Sequence, residues 1–117
     1  MRILRTVPNV PSSDLAQARR FYTALGFAVV MDLEWIVTFA SPTQPQQQIS
    51  ALAHDPSGLL PAVSVEVDDV EVAYGALLEQ GFEVVYPLTS EPWGVRRFFA
   101  RDPSGTLVNV VMHQKQG

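Results

Sequence analysis

The sequence predicts an α+β fold in which one strand–helix–strand–strand–strand unit (βαβββ) is used twice. Three observations predict it. The first is an internal repeat: residues 14–30 line up with residues 69–85 and share Asp14/Asp69, Ala18/Ala73, Gly26/Gly81, Phe27/Phe82, Val29/Val84 and Val30/Val85 at one constant offset. A repeat of this size marks a supersecondary unit whose copies bury faces that neither could bury alone. The second is a pair of capped, amphipathic helical stripes at the start of each copy. The third is period-two alternation in the strands of the second copy, which separates a valine-rich row from a row with scattered polar groups.

In the first copy, residues 3–10 read as a strand, and Pro11-Ser12-Ser13-Asp14 supplies helix-capping types. Asp14 with Gln17 has the spacing of a capping box. Leu15, Ala18, Phe21, Tyr22 and Leu25 recur at helical spacing, and Gly26 stands where a left-handed terminating residue is needed. Strands follow over residues 27–31, 35–40 and 49–53, with a polar, two-proline loop over 41–48. Asp55-Pro56-Ser57-Gly58 has the residue order of a type I turn. In the second copy a strand over 62–67 leads to Asp68, read as the cap with Glu71 as its partner. Val70, Ala73, Tyr74, Leu77 and Leu78 form the buried stripe, and Gly81 ends the helix. Strands are expected over 82–86, 95–101 and 106–113, with a loop over 88–94 and a second Asp-Pro-Ser-Gly turn at 102–105. The expected organisation is a single domain, with module one at about 1–54, a linker at about 55–61 and module two at about 62–117.

At 117 residues and 47% apolar content, the chain can bury one real core, hiding roughly two-thirds of its unfolded surface. With no cysteine, neither a disulfide framework nor a thiolate metal site is available. A net charge of -4 argues against nucleic acid as a partner, because phosphates need a basic face. It suits a cationic ligand or simply solubility. The opening Met1-Arg2-Ile3-Leu4-Arg5 lacks a signal-peptide apolar run, and no stretch approaches a membrane span, so no membrane partner and a cytoplasmic location are expected.

The valine rows Val63/Val65/Val67 and Val108/Val110/Met112 should pack on the helices, leaving Ser64, Glu66, Asn109, Val111 and His113 toward the concavity of the sheet. Together the motifs Asp14-x6-Phe21-Tyr22-x2-Leu25-Gly26-Phe27 and Pro92-Trp93-Gly94-Val95-Arg96-Arg97-Phe98-Phe99-x2-Asp102-Pro103-x-Gly105-x2-Val108-Asn109 resemble the vicinal oxygen chelate superfamily of glyoxalases, extradiol dioxygenases and fosfomycin- and bleomycin-resistance proteins. The start Pro8-Asn9-Val10-Pro11-Ser12-Ser13-Asp14 is especially similar to bleomycin-resistance proteins. The resemblance implies paired modules forming a curved mixed sheet with helices on its convex face, usually completed by homodimerisation.

It also implies where a divalent metal would sit. The first ligand of each module lies seven residues before the helix-start Asp, which here is Val7 and Ala62. The last-strand positions fall near Ser50 and on Asn109. None is a carboxylate or imidazole, and neutral Ser and Asn oxygens are weak ligands without charged companions, so no cofactor and no metal are expected. His54 and His113 are off these positions; with Glu66 they leave an unorthodox site open, or they are exposed strand-end residues. No nucleophile triad and no phosphate-binding glycine loop are present.

The resemblance to fosfomycin-resistance proteins implies that Phe99, and with it Arg97, faces the concavity; aligning Phe39-Ala40 with Phe99-Ala100 then turns Trp35, Val37 and Phe39 inward too, and Phe98 and Ala100 toward a helix. The expected ligand-binding residues are Trp35, Phe39, Glu66, Trp93, Arg97, Phe99, Asn109 and His113, with Leu107 and Val111 as further apolar lining. Aromatic walls with a few oriented polar groups suit a flat small molecule, although the same aromatics could fill the core or an interface. An inward Arg97 needs a partner, either Glu66 or a ligand anion. The leading expectation is a metal-free protein that sequesters a drug-like or aromatic ligand in a cup or dimer cleft, with no catalytic residues. The alternatives are a metal-dependent glyoxalase-like lyase, isomerase or dioxygenase, and a protein–protein module with a filled cup.

Overall fold

The structure, a computed structural model, describes residues 1–114; the end of the second module, 115–117, lies outside the described residues. The chain divides into two compact units, Thr6–Leu60 and Met1–Arg5 joined with the chain from Pro61 onward. Its first strand, β1 (Ile3–Pro11), therefore starts in one unit and finishes in the other.

The first unit continues with α1 (Leu15–Leu25), β2 (Ala28–Asp32), β3 (Ile36–Ala40) and β4 (Gln48–Leu52). Helix α1 starts where expected. Asp14 is extended, and its carboxylate accepts from the Gln17 backbone N–H at 3.1 Å, satisfying one of the donors that a helix start leaves open. It ends at Gly26, whose φ of 112° puts it in the left-handed region. The strands run in the order β2-β3-β4-β1, with β1 parallel to β4 and the other pairs antiparallel. A helix is the natural return for a parallel pairing. The core is Val37, Phe39 and Ala51, covered by Leu15, Ala18 and Tyr22 of α1 together with Phe27, Val29 and Ile49.

The second unit contains β5 (Val63–Val67), α2 (Val70–Glu79), β6 (Val84–Ser90), β7 (Val95–Arg101) and β8 (Leu107–His113), in the strand order β5-β8-β7-β6. Again the first strand is parallel to the last, and the remaining pairs are antiparallel. Val70 and Ala73 of α2 pack with Val67, Phe98, Ala100 and Val110 of the sheet, with Val65, Val108 and Met112 beside them, so five of the six residues in the two valine rows face the helix. Both Asp-Pro-Ser-Gly segments close as turns, Gly58 donating to the Asp55 carbonyl and Gly105 to the Asp102 carbonyl at 2.9 Å each.

Two local expectations are corrected. The cap of α2 is Asp69, not Asp68: Asp69 accepts from Val72 N–H, with backbone angles nearly identical to those of Asp14. Asp68 instead accepts from the Arg2 backbone N–H at 2.7 Å. The strand expected over 82–86 runs later, to Ser90, and takes in residues read as loop. Pro87 suggests a break, but β6 is the last strand in its order and pairs only with β7, where a missing N–H is tolerated. The register shifts between Val84 and Tyr86 and between Tyr86 and Thr89 absorb the irregularity.

Candidate functional site on the second-unit sheet

The face of the second sheet opposite α2 carries the chemistry. Strand pairing sets out its side chains in two rows. Ser64 lies opposite Asn109, Asn109 opposite Phe99, and Phe99 opposite Tyr86; one step along, Glu66 lies opposite Val111 and Val111 opposite Arg97. His113 follows on β8, opposite Val95.

Arg97 is at the centre of one cluster. Its guanidinium carbon lies 4.7 Å from the Phe99 ring centroid, 4.9 Å from that of Trp93 and 5.4 Å from that of Tyr86. Its Nε donates to Glu91 at 2.6 Å, and the Tyr86 hydroxyl donates to the same carboxylate. The Arg97 and Glu91 side chains are only 4% and 8% exposed, so the ion pair is buried with its hydrogen bonds largely met. Of the two expected partners for Arg97, Glu66 or a ligand anion, Glu66 is bonded to Arg5 and His113, and the carboxylate that accepts from Arg97 Nε is Glu91. Glu91 and Tyr86 were not among the expected site residues; the signal was the six-residue spacing from Glu91 to Arg97, which a tight connection folds back on itself. Phe99 is fully buried, its ring 4.9 Å from that of Tyr86 in a tilted pair and 4.7 Å from the guanidinium carbon, instead of forming an open wall.

Glu66 forms the second cluster. It accepts from Arg5 Nε at 2.5 Å and shares a 2.7 Å hydrogen bond with His113 Nδ1. Burial is the largest influence on this carboxyl and opposes its ionisation, but the hydrogen bonds from His113 and Arg5 and the Arg5 charge outweigh it, and its pKa lies below the ordinary value. His113 is half-exposed.

Asn109 lies between the clusters and is 8% exposed. Its Nδ2 donates to Ser64 Oγ at 2.9 Å, while its Oδ1 is buried with no hydrogen-bond donor among the described residues.

In the first unit the expected orientation of Phe39 and Val37 is overturned. Phe39 is fully buried against α1, with its ring 5.0 Å from that of Tyr22. The reason is a one-residue slip in comparing the modules. Asn9 pairs with Ser50 and Ser64 with Asn109, so Ser50 and Asn109 are counterparts. Their strand partners are Thr38 and Phe99, which makes Ala100, not Phe99, the counterpart of Phe39. A slip of one residue in a strand moves every side chain to the other face. Trp35, just before β3, has its ring 6.4 Å from that of His54.

The positions that the family resemblance assigns to a metal do not fit one. Val7 is a buried apolar residue and Ala62 has no donor. Ser50 Oγ is hydrogen-bonded to Thr38 Oγ1 at 2.7 Å, and the Asn109 amide is bonded to Ser64. Among the described residues no three His, Cys, Asp or Glu side chains gather as a metal-holding group. Nor, among them, is any helix long and apolar enough to cross a membrane.

The comparisons agree with this architecture. A family model described as the Glyoxalase/Bleomycin resistance protein/Dioxygenase superfamily matches residues 2–110. No curated protein sequence matches significantly. A solved structure of methylmalonyl-CoA epimerase from Mycobacterium tuberculosis aligns at 21% identity and a TM-score of 0.69, covering 97% of this chain and 88% of that one. A glyoxalase/bleomycin resistance protein/dioxygenase superfamily member from Vibrio splendidus 12B01 aligns at 19% identity and a TM-score of 0.66, covering 96% and 99%. An uncharacterized protein from Methanosarcina mazei aligns at 21% identity and a TM-score of 0.72, covering 100% and 98%. At these identities the likeness is one of fold.

Proposed function

The chain belongs to the glyoxalase/bleomycin resistance protein/dioxygenase superfamily, and from that premise we propose that it is a metal-free binding protein for a small, flat, aromatic molecule, acting by sequestration as a homodimer in the manner of bleomycin-resistance proteins. The observation that carries the reading is the make-up of the sheet face opposite α2. There the rings of Tyr86, Trp93 and Phe99 surround one guanidinium, and Glu66, Asn109 and His113 stand alongside on β5 and β8. Apolar and aromatic surface with a few fixed polar groups is how small-molecule sites are made, and Trp93 and Tyr86 are only half-buried, so each has ring surface left for a stacked ligand. The neutral or apolar residues at the family's metal positions support binding over Lewis-acid chemistry, because a divalent ion needs charged or imidazole ligands to be held.

The test is isothermal titration, with chelator present, against bleomycin and a panel of flat aromatic antibiotics. A saturable heat with at least one, lost in Trp93→Ala, is the expected result. Absence of heat with every compound would sink the reading. Stoichiometric metal in protein purified without chelator, with lyase or isomerase activity that depends on it, would replace it with a metal-dependent enzyme.

A further inference from the structure

We propose that Asn109 reads a hydrogen-bond donor on the ligand, so that the molecule taken by this site carries an amide N–H, amine or hydroxyl beside its aromatic ring; the inference rests on the binding function proposed above. Buried side-chain oxygens in folded proteins are nearly always paired, and one left alone costs about 1–3 kcal/mol. Asn109 Oδ1 is such an oxygen among the described residues. It is held in place, since its own Nδ2 is bonded to Ser64 Oγ on the neighbouring strand. It also sits directly across the sheet from Phe99, one strand over from the ring cluster of Tyr86 and Arg97. A ligand stacked on that cluster would bring a ring substituent over β8, where the carbonyl waits for a donor. Discrimination of this kind is strong when a site is made to hydrogen-bond, because a ligand lacking the donor leaves the buried acceptor unpaired.

Two probes of one ring system separate the possibilities: benzamide, which has amide N–H donors, and N,N-dimethylbenzamide, which keeps the ring and the carbonyl but has none. Binding is followed by two-dimensional NMR of ¹⁵N-labelled protein, which also resolves the Asn109 side-chain amide. The expected result is that benzamide shifts the Asn109 side-chain and β8 backbone signals and binds about three- to tenfold more tightly than its dimethyl analogue, the worth of one hydrogen bond. In Asn109→Leu that preference should vanish while the thermal midpoint holds or rises, because an unpaired buried polar group has been replaced by an apolar one. A residue with only a structural role would lower the midpoint and leave the preference alone. Equal binding of both probes, unchanged in Asn109→Leu, would overturn this inference and leave the binding function standing. If neither probe binds and the antibiotic titrations are also silent, both fall together.

Discussion

Arg97 carries a full charge at a position almost closed to water, and it can do so because aromatic rings and a carboxylate lie against its guanidinium. Three ring centroids lie within 5.4 Å of its guanidinium carbon, and Glu91 accepts a hydrogen bond from its Nε. Removing Glu91 takes a charged partner from a buried guanidinium and leaves the Tyr86 hydroxyl without its acceptor. Glu91→Ala should therefore destabilise the protein by about 3–5 kcal/mol in urea unfolding, whereas the Glu91→Leu/Arg97→Met double variant should recover most of that loss. A double variant as unstable as the single one would mean that the pair contributes through packing instead. Glu66 makes a second residue-scale prediction, with a definite sign. Its folded-state pKa is depressed, so its contribution is present above the unfolded carboxyl's pKa and is lost as pH falls through the folded value. Midpoints of urea unfolding measured across the acid range should fall with pH, and Glu66→Gln should flatten that fall. Asp68, depressed chiefly by the Arg2 backbone hydrogen bond, leaves a residual slope in the variant.

At the scale of elements, both helices begin on the same device, an extended Asp whose carboxylate caps the third following N–H. Asp14→Ala and Asp69→Ala should each cost about 1 kcal/mol, read from thermal unfolding with far-ultraviolet circular dichroism. An unchanged midpoint in Asp69→Ala would contradict the assignment of the α2 cap. The β3 strand shows where reading by repeat goes astray. Aromatic residues recur in both modules, and matching Phe39 to Phe99 looks natural, yet the strand pairings match Phe39 to Ala100. Phe39 is thus core beneath α1, and Phe39→Ala should cost about 3–5 kcal/mol of stability. The unfolding midpoint checks this, and a stable variant that only weakened ligand binding would restore the inward orientation. The α1 cap, both turns and most of the α2 stripe were legible in the sequence because they depend on residues three or four apart; the choice between Asp68 and Asp69 as the α2 cap was not, and Leu78, expected in the buried stripe, is exposed. The β6 strand was not, since Pro87 is tolerable only where no strand pairs on the far side.

Over the whole molecule, the two tryptophans fall one in each unit, Trp35 in Thr6–Leu60 and Trp93 in the other. Single-tryptophan variants therefore report each unit separately, and Glu91→Ala should shift the Trp93-free protein's Trp35 signal less than it shifts the Trp93 signal if the units unfold independently. The homodimer proposed with the binding function predicts a solution mass twice the chain's 12.9 kDa, measured by light scattering after size-exclusion chromatography. A monomer across the micromolar range would remove the dimer from the proposal.

The sequence by itself determined the α+β class, the doubled βαβββ unit, the ends of α1, both Asp-Pro-Ser-Gly turns and the valine face under α2. All of these are written in short-range patterns that propensity, capping and alternation can read. Only the tertiary structure decided that Arg97 meets Glu91, that Glu66 belongs to Arg5 and His113, that Phe39 is core, and that the Asn109 carbonyl is left over. Each of these depends on strand register and on the pairing of charges distant in sequence. A one-residue slip reverses a strand's faces, and several carboxylates compete for each cation, so no local signal distinguishes the outcomes until the strands are in place.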